Sequence, residues 1–173
     1  MIRILFICHG NICRSVAAEM VMKKLIREAG LEKRVLASSA AATTEEIGND
    51  IYPPMKRVLL AHGVPCEPHA ARLLTRADGK AYDLIVGMDA ENLRHMRRIL
   101  GADAEGKLHL LMEYADAPGS EVADPWYTRD FEKAYADVLA GCRGLLAAVA
   151  GAKTLPSQKT AANKPLTDPI KET

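Results

Sequence analysis

Near its start the chain reads Met1-Ile-Arg-Ile-Leu-Phe-Ile-Cys8-His-Gly-Asn-Ile-Cys-Arg14-Ser15. The apolar run at residues 2–7 is typical of a strand buried on both faces of a parallel sheet. Apolar residues then recur at helical spacing from Val16 until Gly30, a residue type that commonly ends helices. The stretch therefore predicts a strand that turns directly into a helix, with Cys8 at the carboxyl end of the strand.

Strand and helix patterns go on alternating along the chain. Further apolar runs of strand length lie at residues 35–39, 82–87 and 108–112. Further helical patterns begin at Pro53, Asp89 and Phe131, the last after a long loop. The alternation predicts one α/β domain, residues 1–151, with a doubly wound, four-stranded parallel sheet and helices on both faces. Residues 152–173 lose the apolar pattern, which predicts a disordered tail.

The composition is that of an ordinary globular protein, with 49% hydrophobic and 26% charged residues among 173. A net charge of +1 gives no electrostatic reason to bind nucleic acid or a membrane surface. No stretch approaches the roughly 20 apolar residues needed to span a bilayer. We therefore expect neither nucleic acid nor a membrane as a partner. No signal-peptide pattern follows Met1, so we expect a cytoplasmic location.

Cys8 and Arg14 bracket five residues at the predicted strand-to-helix junction. A sharp turn there lets successive backbone amides point inward, and the positive end of the helix adds to their field. An anion of phosphate size is therefore favoured at the centre of the loop. The same field stabilises a thiolate, so we expect Cys8 to be ionised at neutral pH. The planar guanidinium of Arg14 matches two phosphate oxygens, which a lysine would not.

These residues resemble the phosphate-binding loop of the low-molecular-weight protein tyrosine phosphatases, whose signature is Cys-x-Gly-Asn-x-Cys-Arg-Ser. The proline that usually follows is Val16 here. A second match, Asp124-Pro125-Trp126-Tyr127, resembles the loop that carries the family's general acid. The sequence Met88-Asp89-x-x-Asn92 adds a third element, and the resemblance covers residues 1–149.

The resemblance implies that Cys8 is the nucleophile, Arg14 the phosphate clamp and Asp124 the general acid. It implies a phosphate-binding loop that also contains His9, Gly10, Asn11, Ile12, Cys13 and Ser15. Ser39 and His69 are implied, with Ser15, as supports of Asn11. Asp89 is interpreted as a helix N-cap with a supporting role.

Several of these residues also have a purely structural interpretation. Cys8 alone would be a buried core cysteine, and Asp124 alone a turn residue in an Asp-Pro pair. Ser39 and His69 fit equally well as a turn serine and a solvated loop histidine. The presence of Cys8, Arg14 and Asp124 together favours the functional interpretation.

Trp126 and Tyr127 are predicted to wall a cleft wide enough for a phenyl ring. The opposite rim, where the family often has an aromatic residue, has Glu45, Glu46 and Ile47 here. We expect the rim carboxylates, Glu46 among them, to disfavour acidic phosphopeptides.

The cysteines other than Cys8 carry less information, and none of the four has the paired spacing of a metal site. Cys13 is either a small packed loop residue or a thiol that forms a disulfide with an oxidised Cys8. Cys142 lies on the apolar face of the last helical pattern and is predicted to be in the core. We assign no role to Cys66.

The leading functional hypothesis is hydrolysis of phosphotyrosine in proteins through a phosphocysteine intermediate, with inorganic phosphate as product. By resemblance, one partner is a bacterial tyrosine kinase. A protein-arginine phosphatase is the main alternative, although Ile12 stands where threonine is usual in that resemblance. An arsenate reductase would need a further redox pair from Cys66 and Cys142, and a non-catalytic phosphate-binding module remains a further alternative. We expect no metal or cofactor, because Arg14 and the amides supply the charge stabilisation.

Overall fold

The structure, a computed structural model, describes residues 1–151, so the predicted tail at residues 152–173 lies outside the described residues. The strands are β1 (Ile2–Cys8), β2 (Val35–Ala41), β3 (Leu84–Gly87) and β4 (Leu108–Leu110). The helices are α1 (Arg14–Glu28), α2 (Pro53–Ala61), α3 (Asp78–Ala81), α4 (Ala90–Leu100), α5 (Pro125–Thr128) and α6 (Phe131–Gly151). Two 3₁₀ turns lie at Ala102–Lys107 and Leu111–Tyr114.

The four strands form one parallel sheet in the order β2-β1-β3-β4, which confirms the predicted fold class. Both faces of the sheet are covered by helices. Alternate residues of β1 point to opposite faces, so they pack into two different hydrophobic cores. Ile4 and Phe6 pack with α1, α2 and α6, whereas Leu5 and Ile7 pack with α4. Burial of β1 on both sides explains its nearly continuous apolar sequence.

Two details differ from the sequence-based expectation. The fourth strand ends at Leu110 and not at residue 112, because the Leu110 amide donates to the Glu113 carboxylate and the chain turns into a 3₁₀ helix. The segment before the last helix is also more ordered than the predicted long loop. It contains α5, a single helical turn that begins at Pro125.

Helix α6 corrects the expectation that no stretch is long and apolar enough to span a bilayer. By length and hydropathy its 21 residues would suffice. In this fold, however, its apolar face is buried in the larger core, where Val138, Cys142 and Leu145 have no exposed surface. A core helix satisfies the same length and hydropathy test, so length and hydropathy alone do not identify α6 as a membrane segment.

Two glycines on one face of α6 form a groove that receives the 3₁₀ turn after β4. A Cβ atom on Gly141 would lie 2.4 Å from Leu111 Cγ, and one on Gly144 would lie 1.7 Å from the carbonyl oxygen of Tyr114. Both glycines have helical backbone angles, which any residue can adopt, so conformational freedom does not explain them. Their role is therefore close approach, and this contact fixes where the chain goes after the last strand.

We predict that Gly144→Ala lowers the free energy of unfolding by about 3 kcal/mol, because the added methyl group overlaps backbone atoms that cannot move independently. Gly151→Ala is the matched control, since a Cβ atom there meets nothing within 4 Å. It should leave stability unchanged or raise it slightly, by up to about 1 kcal/mol. Urea unfolding of both variants checks the prediction, and equal stability of the two would contradict it.

Candidate active site

The site lies at the carboxyl edge of the sheet, where parallel strands bring their ends together. Strand β1 ends at Cys8, which lies opposite Ala41 of β2, and Ile7 lies opposite Gly87 of β3. Met88 and Asp89 follow directly after β3. The sheet register therefore places the Cys8 loop between the end of β2 and the start of α4.

The loop between β1 and α1 presents a row of backbone N–H groups. Within the described residues, the six consecutive amides from Gly10 to Ser15 donate to no protein acceptor. The last of them belong to the first turn of α1, where N–H groups have no intrahelical partner. Such a concentration of free donors at a helix N-terminus is suited to an anion.

Asn11 lies at the centre of the hydrogen bonds that hold this loop. It is fully buried and has a φ angle of 60°, a left-handed conformation that asparagine tolerates better than most residues. Its amide nitrogen donates to Ser15 Oγ at 2.9 Å and to Ser39 Oγ at 2.8 Å. Its Oδ1 accepts from the Arg72 amide at 3.2 Å, and its backbone oxygen lies 2.7 Å from His69 Nε2. The structure thus brings together the predicted supports Ser15, Ser39 and His69 and adds Arg72.

Cys8 is 3% exposed, and its sulfur lies 3.0 Å from Ser15 Oγ. Because Ser15 Oγ accepts from Asn11, the hydroxyl hydrogen of Ser15 remains available for the sulfur. A hydrogen bond to the charged form of a thiol favours that form. The local geometry is therefore suited to a thiolate at Cys8.

Arg14 links the Cys8 loop to two carboxylates on other elements. Its guanidinium is almost completely buried and donates to Asp89 Oδ2 at 2.7 Å, to the Val122 carbonyl at 3.0 Å and to Asp124 Oδ2 at 3.2 Å. Burial alone would lower the pKa of Arg14, but the charges of Cys8, Asp124 and Asp89 outweigh it and raise the pKa above its ordinary value. Arg14 is therefore a permanent cation at the base of the site.

Asp89 and Asp124 are each held in place by a backbone amide at the start of a helix. Asp89 caps α4, where its Oδ1 accepts from the Asn92 amide at 2.8 Å. Asp124 caps α5, and its Oδ1 accepts from the Trp126 amide at 3.0 Å. Asp124 itself lies outside regular structure, directly before the helical turn that it caps. The cap leaves Oδ2 of Asp124 directed at Arg14.

The segment that carries Asp124 is also anchored at Val122, two residues before it. Val122 is fully buried, its amide donates to the Met88 carbonyl at 3.0 Å, and its own carbonyl accepts from Arg14. The residue thus joins the end of β3 to the guanidinium. Sequence reasoning missed Val122, because its role lies in backbone atoms that every residue has.

A cleft of about 380 Å³ opens above the loop. Among its lining residues are Cys8, His9, Gly10, Ile12, Cys13, Arg14, Glu45, Glu46, Tyr52, Asp89, Asp124, Trp126 and Tyr127. The predicted rim residues Trp126 and Tyr127 are 52% and 82% exposed, so their rings are available to a ligand. On the acidic rim, Glu45 pairs with His9 at 2.7 Å, and Glu46 accepts from Asn49 at 2.7 Å.

Tyr52 is an aromatic wall residue that the sequence analysis did not identify. Its ring centroid lies 5.5 Å from that of Trp126, and its hydroxyl accepts from Arg129 at 3.3 Å. Arg129 also lies over the Trp126 ring, 5.6 Å from the centroid. The only local signal for Tyr52 was its position before Pro53, which predicts a helix start and not a binding surface.

The remaining cysteines differ in their relation to the cleft. Cys13 is half-buried and lines it, whereas Cys66 and Cys142 do not. Burial raises the pKa of the Cys13 thiol, the charges of Cys8 and Asp124 add to that effect, and Arg14 opposes it. Cys142 is fully buried in α6, as predicted. In residues 1–151, no cluster of three or more His, Cys, Asp and Glu side chains has the arrangement of a metal site.

Fold and site together define the class of cysteine-dependent phosphohydrolases, because the thiol, the free amides and the buried arginine are together suited to a phosphoryl group. Comparison with known families narrows this class. The family model described as low molecular weight phosphotyrosine protein phosphatase matches residues 3–155. The chain belongs to this family.

Individual relatives agree with this assignment over most of their length. The low molecular weight protein-tyrosine-phosphatase YfkJ of Bacillus subtilis is 35% identical over 90% of this chain and 100% of its own. The low molecular weight phosphotyrosine protein phosphatase of Homo sapiens is 36% identical over 83% of this chain and 92% of its own. The crystal structure of YfkJ has a TM-score of 0.85 and 34% identity, and the match covers 89% of this chain and 98% of that one.

We predict that Asn11→Ala lowers the free energy of unfolding by about 3 kcal/mol, because two buried hydroxyl groups lose their donor. Asn11→Gly removes the same hydrogen bonds but tolerates the positive φ angle. It should therefore be about 1 kcal/mol more stable than Asn11→Ala. Urea unfolding of both variants separates the two contributions. If Asn11→Ala were as stable as the unmodified protein, Asn11 would not hold the loop together.

Proposed function

We propose that this protein hydrolyses phosphotyrosine in proteins, with Cys8 as nucleophile, Arg14 as phosphate clamp and Asp124 as general acid and base. One observation carries the proposal: Asp124 is hydrogen-bonded to the same guanidinium that lies beside Cys8 and its six free amides. An acid in that place reaches the oxygen that leaves from a phosphoryl group held in the loop. The family membership supports the same reaction.

In the first step the Cys8 thiolate attacks phosphorus, and the bond between phosphorus and the tyrosine oxygen breaks. The carboxyl group of Asp124 gives its proton to that oxygen, so tyrosine leaves as a neutral phenol. The amides of the loop and Arg14 stabilise the negative charge on the non-bridging oxygens. The product of this step is a phosphocysteine at Cys8.

In the second step a water molecule attacks phosphorus, and the Asp124 carboxylate takes a proton from that water. The bond between sulfur and phosphorus breaks, the Cys8 thiolate is restored, and inorganic phosphate leaves. Asp89 and the Val122 carbonyl hold Nη1 of Arg14, which leaves Nε and, once it releases Asp124, Nη2 for the phosphate oxygens. Asp89 is thus a positioning residue for the clamp.

The walls of the cleft support an aryl phosphate as substrate. Tyr52, Trp126 and Tyr127 line it together with Ile12, and flat aromatic or aliphatic surfaces favour a phenyl ring. Within the class of phosphotyrosine proteins, we propose a tyrosine-phosphorylated bacterial protein kinase as one substrate, on the strength of the family resemblance. We also propose a cytoplasmic location, since a nucleophilic thiol with a neighbouring thiol requires a reducing compartment.

We predict that Asp124→Asn lowers kcat/KM by about 10²- to 10⁴-fold for phenyl phosphate, because the phenoxide then leaves unprotonated. The loss should be smaller for aryl phosphates with more acidic phenols. Asparagine is as good an N-cap as aspartate, so α5 should remain intact. The measurement is kcat/KM across a series of substituted phenyl phosphates.

Two outcomes would contradict the assignment. An equal loss for all leaving groups would show that Asp124 is not the acid, and substantial turnover by Cys8→Ser would show that Cys8 is not the nucleophile. Glu105→Gln provides a control, because Glu105 pairs with Arg97 on the surface, away from the cleft residues. It should leave the whole series unchanged.

We further predict a reversible oxidation at the two loop cysteines. Peroxide oxidises the Cys8 thiolate to a sulfenic acid, and the Cys13 sulfur attacks it, with loss of water and formation of a disulfide. The raised pKa of Cys13 keeps that thiol protonated and less reactive, so Cys8 should be oxidised first. Mass spectrometry after mild peroxide should find a Cys8–Cys13 bridge, with activity restored by dithiothreitol. In Cys13→Ser, inactivation should proceed to an irreversible sulfinic acid. A wild-type protein that gives only sulfinic acid would refute the prediction.

A further inference from the structure

Beside the aromatic wall of the cleft lies a cation that the proposed reaction does not use. Arg129 follows α5 directly as its C-cap, and it is exposed. Its guanidinium lies 5.6 Å from the centroid of the Trp126 ring, and its Nη1 donates to the Tyr52 hydroxyl at 3.3 Å. Trp126 and Tyr52 both line the cleft. Two contacts therefore hold the guanidinium against the wall.

The backbone of Arg129 gives no reason for an arginine at this position. Its φ angle is 58°, in the left-handed region. Glycine is the usual residue where a helix ends in that conformation, because any side chain makes it less favourable. The amide of Arg129 donates to the Pro125 carbonyl at 2.9 Å, a bond that glycine would form equally well. The reason for arginine therefore has to lie in its side chain.

In residues 1–151, most N–H groups of the Arg129 guanidinium have no protein acceptor, and no carboxylate pairs with it. Of its five N–H bonds, one goes to Tyr52. The carboxylates that follow in the sequence have other partners, since Asp130 Oδ1 accepts from a backbone amide of α6 at 2.9 Å and Glu132 pairs with His62 at 2.8 Å. The edge formed by Nε and Nη2 is thus available to a carboxylate from outside, which it fits with two parallel hydrogen bonds.

The acidic rim of the cleft, Glu45 and Glu46, lies on a different segment, between β2 and α2. Glu45 is paired with His9 at 2.7 Å, whereas Glu46 accepts from the uncharged side chain of Asn49 at 2.7 Å. The negative charge of Glu46 is therefore less compensated. A peptide in the cleft meets a negative charge on one segment and a positive charge on another, and the two favour opposite charges in the peptide.

We propose that Arg129 selects phosphotyrosine substrates that have an aspartate or glutamate close to the phosphotyrosine, on the flank that faces Trp126. The inference rests on the proposed function and names a class of its substrates. Neighbouring residues of an extended peptide are about 3.5 Å apart, so a carboxylate one or two residues from the phosphotyrosine can reach past the Trp126 ring. Because Tyr52 and Trp126 already hold the guanidinium, little side-chain freedom is lost on binding. Near Glu46 the same carboxylate is repelled.

The test compares matched phosphotyrosine peptides that have aspartate or asparagine at one of the two positions before or after the phosphotyrosine. The readout is the ratio of kcat/KM for the aspartate peptide to that for the asparagine peptide, which cancels any general change in the cleft. In the unmodified protein this ratio should be about three to five on one flank and below one on the other. In Arg129→Gln the preference on the first flank should disappear, while the penalty on the other flank remains. High salt should weaken the preference in the unmodified protein.

Three further variants sharpen the comparison. Arg129→Gly suits the positive φ angle, so it should fold at least as well as the unmodified protein and still lose the preference. Arg129→Lys keeps the charge without the fork of donors and should retain only part of the preference. Arg143→Gln is the matched control. It removes the same charge from an exposed position on α6, about 18 Å along the helix from Phe131, and should keep the ratios of the unmodified protein.

Equal ratios at every position in the unmodified protein, Arg129→Gln and Arg129→Gly would overturn the proposal. A lack of any preference for aspartate in the unmodified protein would overturn it as well. Failure of the proposed function looks different, because then no phosphotyrosine peptide is turned over. The same ratio, measured as peptide Kd in Cys8→Ser with and without Arg129→Gln, reports on Arg129 even in that case.

Discussion

The structure depends on one constraint: in the part of the chain that the structure describes, six consecutive backbone N–H groups, from Gly10 to Ser15, have no protein acceptor. A loop whose N–H groups make no bonds within the protein is not held by its own backbone, so it would relax unless other bonds held it. Asn11 supplies those bonds, with two serines, a histidine and a backbone amide around it. The loop is thus stabilised from behind so that its front can remain open to an anion.

A second consequence of the constraint is electrostatic. A buried cation at the base of an amide cradle is unfavourable by itself, and Arg14 is stabilised by Asp89 and Asp124 on two other elements. These carboxylates also make the guanidinium a meeting point for the ends of β1 and β3 and the start of α5. The arginine therefore has a structural function as well as its proposed catalytic one. A lysine could not serve both, because its single ammonium group lacks the fixed fork of donors.

The sequence predicted the parts of this arrangement that depend on local spacing. Cys8 and Arg14 lie in one short loop, and β1 before them has an apolar pattern that only a buried strand explains. Parallel strands then place Asp89 and Asp124 at the same edge, so the grouping of these residues around Arg14 could be predicted from the sequence. The contact between Glu19 and Ser39 could not, because it joins a helix and a strand twenty residues apart.

Other features were missed for different physical reasons. Tyr52 acquires its place in the wall from packing on Trp126, which depends on where α2 and α5 meet. Gly141 and Gly144 look like weak points of a helix in the sequence, yet they form the groove that seats the turn after β4. Close approach of backbones leaves little trace in one sequence, because a glycine has several possible causes.

The position of Asp124 bears on how the proposed acid works. Its Oδ1 caps α5, and its Oδ2 contacts Arg14. Two residues earlier, the Val122 amide donates to the Met88 carbonyl and the Val122 carbonyl accepts from Arg14. An acid on a lid would have to close over the substrate before each turnover. Here the backbone around Asp124 is already held by hydrogen bonds. When a phosphate oxygen enters, it only has to replace Asp124 Oδ2 as the acceptor from Arg14. Since preorganised groups need little rearrangement during the reaction, the energy that holds this loop in the folded protein also contributes to catalysis.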